Sequence, residues 1–99
     1  MNYIYILRCA DGSLYTGVTA DLQKRFRQHA GLEKGGAKYT AAHPPVCYAA
    51  VWETESRGDA LRLEARIKRM KRREKLALIA GEAVPEGPYC RTDKGEKTE

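Results

Sequence analysis

Four side chains in the first third of this sequence have the types needed to hold an anion and move a proton beside it: the phenols of Tyr5 and Tyr15, the guanidinium of Arg25 and the imidazole of His29. A guanidinium is a permanent cation with a planar fork of donors, while phenol and imidazole both donate and accept hydrogen bonds. Whether they can act on one ligand depends on the elements that carry them.

Ile4 and Ile6 alternate with Tyr3, Tyr5 and Leu7, and Leu14, Thr16 and Val18 alternate with Tyr15 and Gly17, the period of two that marks strands. A two-residue Asp11-Gly12 turn would set Ile4 and Ile6 on the face of Tyr15 and Gly17, mixing apolar and polar sets. A three-residue loop, Ala10-Asp11-Gly12 with Gly12 left-handed, instead gathers Ile4, Ile6, Leu14, Thr16 and Val18 on one face. Tyr3, Tyr5, Tyr15 and Gly17 then share the other, where the glycine is expected to leave room for a ligand. Thr19 or Asp21 can cap the helix that follows. Leu22, Phe26 and Ala30 are expected to face the core, with Arg25 and His29 one turn apart on its flank.

A chain of 99 residues is one domain, large enough for a single small core. No apolar run approaches the ~20 residues that span a bilayer, and no basic-then-apolar leader opens the chain, so a soluble cytoplasmic protein is expected. Cys9, Cys47 and Cys90 are widely spaced with no C-x-x-C pattern, which suggests reduced thiols. The net charge of +5 is unevenly spread: residues 82–99 carry three basic and five acidic groups, and residues 1–81 carry fifteen and eight, net +7. A compact basic domain favours polyanions, nucleic acid above all.

Residues 31–45 read as a Gly-, Lys- and Pro-rich connector, in which Lys38 and Tyr39 can touch a phosphate and stack on a base or else lie solvated on the domain edge. His43 reads as a turn residue. Residues 46–53 form a third strand, with Trp52 in or beside the core. Ser56 to Asp59 resembles a capping box, opening a helix with an apolar stripe of Ala60, Leu63, Ile67 and Met70. Glu64 borders that stripe, one turn before Lys68, and spacing alone assigns it an i,i+4 salt bridge. Between Arg66 and Lys75 stand seven basic residues and one acidic one. A phosphate backbone would relieve their repulsion, which makes Lys68, Arg69, Lys71, Arg72 and Arg73 candidate backbone contacts. A break near Arg72 and a short packing helix over Leu76, Leu78 and Ile79, ended by Gly81, follow. The remaining composition predicts a disordered tail over 82–99.

Tyr3-Ile4-Tyr5, Tyr15-Thr16-Gly17, Arg25, His29 and Glu64, in this order and spacing, resemble the signature of the GIY-YIG nuclease family, over about residues 2–80. The chain looks most like the small bacterial proteins made of a lone GIY-YIG domain. The resemblance implies an α+β fold with a small three-stranded, mostly antiparallel sheet flanked by helices over 1–81. It implies metal-dependent endonuclease activity on DNA, with RNA also open, in repair or in processing branched or damaged DNA. Placed around one phosphodiester, Tyr5 is the general base, either as a transient phenolate whose pKa the neighbouring cations lower or with its proton relayed to His29. Tyr15 orients the phosphate or shares the base role, Arg25 clamps the nonbridging oxygens, and Glu64 holds Mg²⁺ or Mn²⁺. Tyr3 stands where the family's first glycine usually is, Thr16 replaces the isoleucine of the second triplet, and the asparagine that many members carry after the glutamate is absent, the only one being Asn2. Larger members carry a separate DNA-binding domain; here a protein partner would have to choose the target. A non-catalytic nucleic-acid-binding module with the same fold and an adaptor that docks on an acidic protein are the other readings of the basic surface.

Overall fold

The computed structural model describes residues 1–92. The chain runs β1 (Asn2–Cys9), β2 (Leu14–Thr19), α1 (Leu22–His29), α2 (Lys38–Ala42), β3 (Pro45–Thr54), α3 (Arg57–Lys68), α4 (Arg72–Ala80) and β4 (Cys90–Arg91). One antiparallel sheet of order β2-β1-β3-β4 results, so the α+β class holds and the sheet gains a fourth, two-residue strand. No helix among the described residues is long and apolar enough to cross a membrane.

The opening hairpin takes the three-residue loop. Ile4 pairs with Val18, Tyr5 with Gly17 and Ile6 with Thr16, and Gly12 sits at φ +86°, a left-handed conformation that glycine adopts without steric cost. The alternation then divides the core. Ile4 and Ile6 pack with Ala50, Trp52, Ala60, Leu63, Ile67 and Leu78 under α3 and α4. Tyr5, Leu7 and Val51 pack on the opposite face with Tyr15, Leu22, Phe26 and Tyr48. Covered on both faces and paired on both edges, β1 is the central strand, which is why Ile4, Tyr5, Ile6 and Leu7 are all 0% exposed.

The caps follow the sequence chemistry. Asp21 accepts from the Lys24 amide and Ser56 from the Asp59 amide, satisfying first-turn donors of α1 and α3. The helix break lies where the basic run predicts it: α3 ends at Lys68, the Glu74 carboxylate accepts from the Lys71 amide to start α4, and Gly81 closes α4 at φ +83°. Ala30, expected in the core, is exposed as the C-cap of α1. The connector is not featureless either, since it contains α2.

The expected disorder of 82–99 is corrected for residues 82–92. Arg91 donates to the Leu78 and Ile79 carbonyls in the last turn of α4, and lies 5.4 Å from the Trp52 ring centroid. Tyr89 donates to the Asp59 carbonyl at 2.7 Å, and Pro85 is buried. Three anchors in a polar segment suffice to lay it along β3, and composition averages over them. Residues 93–99 lie outside the described residues.

One polar atom in the core has no partner among the described residues: the hydroxyl of Thr16, a residue 3% exposed, on the face shared with Ile4 and Ile6. Its desolvation is uncompensated, so Thr16→Val, which keeps the shape and removes the hydroxyl, is expected to raise stability by about 1 kcal/mol. Urea unfolding checks this; a lower midpoint in the variant would mean that the hydroxyl is satisfied.

Candidate active site

Tyr5 and Gly17 face each other across the hairpin, and the phenol ring of Tyr5 occupies the space a side chain at Gly17 would take. A Cβ built on Gly17 would lie 2.5 Å from the Tyr5 hydroxyl and 2.7 Å from the ring carbon that bears it. The space expected for a ligand is therefore filled by the protein's own phenol. Tyr48 packs edge-on against that ring at 5.1 Å and donates to the Leu22 carbonyl, fixing ring and helix α1 together.

The hydroxyl of Tyr5 ends 2.7 Å from His29 Nε2, and Arg25 Nε lies 3.4 Å from the same oxygen. On its far side His29 Nδ1 lies 2.8 Å from Thr40 Oγ1, whose own proton goes to the Ala37 carbonyl at 3.1 Å. His29 and Thr40 are 3% and 2% exposed, so this chain of groups is closed to water at its inner end. Burial outweighs the hydrogen bond and positive charge of Arg25 and pushes the Tyr5 pKa up to about 12. Burial, reinforced by Arg25, pushes His29 down to about 4. The expectation that nearby cations lower the phenol's pKa is thus overturned, because one distant donor does not repay the desolvation of a buried phenolate.

Arg25 is held in place without being neutralised. It donates to Gln28 Oε1 at 2.9 Å and to the Gly35 carbonyl at 2.7 Å, and among the described residues no carboxylate forms an ion pair with it. A fixed, uncompensated guanidinium beside the Tyr5 phenol is suited to an incoming anion. Tyr15 stands edge-on to His29 at 5.2 Å and stacks on Tyr39 at 5.4 Å, and Tyr39 stacks in turn on His43 at 4.1 Å. His43 is therefore more than a turn residue: it also pairs with Asp11 at the hairpin tip. That carboxylate is held well below the usual range, first by its hydrogen bonds to Ser13 and then by His43.

Glu64 comes from α3, on the other face of the sheet. Its side chain is 19% exposed and pairs with Lys68 at 3.3 Å, the bridge that spacing alone assigned. It nevertheless lies close enough to Tyr5 for its charge to help raise the phenol's pKa, as the smallest of the causes. No cluster of three or more His, Cys, Asp or Glu side chains among the described residues could cage a metal ion. A single half-buried carboxylate fits a hard cation that keeps most of its water and takes phosphate oxygens as further ligands, which describes Mg²⁺ or Mn²⁺.

The basic run is an exposed corner between α3 and α4 rather than one helix face. Lys68 is engaged by Glu64, and Arg72 ties the corner to the hairpin by donating to the Gly12 carbonyl at 2.9 Å. Arg69, Lys71 and Arg73 are exposed, as is Lys38 at the start of α2. Gln28 was missed in the sequence, and Thr40, one of the connector's polar candidates with Lys34, Lys38, Tyr39 and His43, had no partner assigned there. Gln28 was detectable as the i+3 neighbour of Arg25 on one helix; nothing local ties Thr40 to His29.

A central strand flanked by helices on both faces, with two hairpin phenols gathered around an arginine and a histidine, defines the GIY-YIG class. The chain belongs to it: the profile of the GIY-YIG catalytic domain, a nuclease family, matches residues 1–77. Within the class it is similar to UPF0213 proteins, small single-domain members. It is 41% identical over 93 residues to UPF0213 protein BH0048 of Halalkalibacterium halodurans, covering 94% of each chain. It is 40% identical over 79 residues to a UPF0213 protein of Halobacterium salinarum, covering 80% of this chain and all of that one. The solution NMR structure of BH0048 from Bacillus halodurans superposes with a TM-score of 0.53 at 42% identity, over 86% of this chain and 89% of that one. Family membership places the substrate among nucleic acids.

Proposed function

We propose that this protein is a divalent-metal-dependent endonuclease that hydrolyses phosphodiester bonds in DNA and serves repair or the processing of branched or damaged DNA in the cytoplasm. The observation that carries the reading is the buried Tyr5–His29 hydrogen bond beside an arginine with no carboxylate partner among the described residues. Water attacks phosphorus as the bond to the leaving oxygen breaks. Tyr5 is 0% exposed in the free protein, so the attacking water must first gain access to its hydroxyl; the water proton then passes to Tyr5 Oη while the phenol's own proton passes to His29 Nε2, so a free phenolate with its desolvation cost is never formed. Arg25 holds the nonbridging oxygens, and Tyr15, edge-on to His29 and stacked on Tyr39, orients the phosphate. Glu64 would hold Mg²⁺ or Mn²⁺; when bound, the cation supplies Lewis-acid stabilisation of the phosphate and leaving oxygens. Arg69, Lys71 and Arg73, with Lys38 at the start of α2, supply nonspecific backbone contacts, and target choice is left to a protein partner.

The absence of an asparagine after Glu64 favours a second reading, a nucleic-acid-binding module without turnover. Purified wild type and Glu64→Ala, incubated with single-stranded, duplex and branched DNA and with RNA, with Mg²⁺, with Mn²⁺ and with chelator, separate the two. Cleavage of DNA by wild type that is lost with chelator and in Glu64→Ala is expected. Salt-sensitive binding with no cleavage at any metal concentration would overturn the enzyme and leave the binding module.

A further inference from the structure

We infer that Thr40 is a positioning residue: it fixes His29 in the Nδ1–H tautomer and so aims the bare Nε2 lone pair at the Tyr5 hydroxyl. The inference deepens the proposed function and rests on it only for its catalytic consequence.

The assignment follows from counting protons in a chain of five groups that is buried at Tyr5, His29 and Thr40. Tyr5 Oη faces His29 Nε2 at 2.7 Å and Arg25 Nε at 3.4 Å, and a guanidinium can only donate. The protonated phenol therefore accepts from Arg25 and has His29 Nε2 as the acceptor for its own hydrogen. Nε2 must then be unprotonated, and the ring's single proton sits on Nδ1, directed at Thr40 Oγ1 2.8 Å away. Thr40 is able to accept it because its hydroxyl hydrogen is already committed to the Ala37 carbonyl three residues back at 3.1 Å. In the reverse arrangement Thr40 would donate to Nδ1 and Nε2–H to Tyr5, leaving the phenol hydrogen with no acceptor among the described contacts, at a residue 0% exposed. Only one direction satisfies every donor: Arg25 to Tyr5 to His29 to Thr40 to Ala37.

Helix α2 carries this contact. It is five residues long, and its one fully buried side chain is Thr40. Of its residues it is Thr40, rather than the more conspicuous Lys38 or Tyr39, that hydrogen-bonds His29 among the described residues, so a segment that resembles a surface loop has its chemical role in its least conspicuous member. The nitrogen that carries the ring proton is set by the bond the other nitrogen makes. Without the Thr40 acceptor the Nε2–H tautomer becomes competitive, and in that form the phenol has nowhere to send its proton.

The test reads the tautomer directly. In the full-length protein at neutral pH, the ¹⁵N imidazole signals of His29 are expected to show protonated Nδ1 and bare Nε2. Thr40→Val, isosteric but without an acceptor, is expected to shift the population toward Nε2–H and to lower kcat for DNA cleavage at least ten-fold with KM little changed. Thr40→Ser is expected to restore both, which separates the hydrogen bond from packing if Thr40→Val proves unstable. An Nε2–H signal in wild type, or Nδ1–H retained unchanged in Thr40→Val, would overturn the inference. A wild type that cleaves nothing would sink the nuclease reading while the ¹⁵N measurement still decides what Thr40 does.

Discussion

Gly17→Ala is expected to lower kcat for cleavage by at least ~10²-fold and to cost about 1–3 kcal/mol of stability, although it adds one methyl group to an otherwise ordinary strand position. The methyl would sit 2.5 Å from the Tyr5 hydroxyl and 2.7 Å from its ring carbon, closer than non-bonded atoms approach. Tyr5 cannot swing away cheaply. Its ring is 0% exposed, Tyr48 packs against it, and its hydroxyl is bonded to His29. Relief must come from moving the phenol off His29 or from separating β1 and β2, and either uncouples the proton path. Gly12→Ala is the informative control. Gly12 is left-handed at φ +86° with open space around it, so alanine there costs about 1 kcal/mol of backbone strain and leaves the site untouched. Urea midpoints and single-turnover cleavage of both variants check the pair; equal activity in Gly17→Ala and Gly12→Ala would refute the argument.

The same pairing shows what was legible in the sequence. The period of two, together with the requirement for a left-handed glycine, selected one hairpin register out of two, and that register sets Tyr5 opposite Gly17. The stripe of α3 and the glycine stop of α4 were likewise local patterns with a physical cause. What could not be read was whatever depended on where a flexible stretch returns. Thr40 meets His29 across a glycine-rich segment, His43 meets Asp11 over thirty-two residues, and Arg91 caps a helix that its own neighbours in sequence do not belong to. Burial was the other hidden quantity. The structure brings the phenol and the imidazole together, but their pKa shifts come from how deeply the two sheet faces are covered, and the neighbouring cations read from the sequence pointed Tyr5 in the wrong direction.

Those two shifts bound the pH range of the fold, and the acid side carries the larger testable effect. His29 has a pKa of about 4 in the folded chain against 6.5 when unfolded. Between these values the unfolded chain binds a proton that the folded one refuses, so stability rises with pH across the window and falls by up to ~3 kcal/mol as pH drops from 6.5 to 4. Tyr5 acts with the opposite sense at the alkaline end: its folded pKa of about 12 against 10.0 means stability is lost as pH climbs through that interval. The Asp11 carboxylate, held far below the usual range, yields only at more acid pH and does not confuse the first window. Urea unfolding from pH 4 to 7.5 is expected to show this slope in wild type and to lose it in His29→Gln; parallel slopes would mean that the imidazole is not the titrating group. Catalysis should respond differently from folding. A phosphate bound at Arg25 cancels part of the charge that holds His29 down, so the ring becomes more basic in the complex than in the free protein. The acid limb of kcat is therefore expected at higher pH than the acid limb of kcat/KM, and coincident limbs would show that bound substrate leaves the field of Arg25 on His29 unchanged.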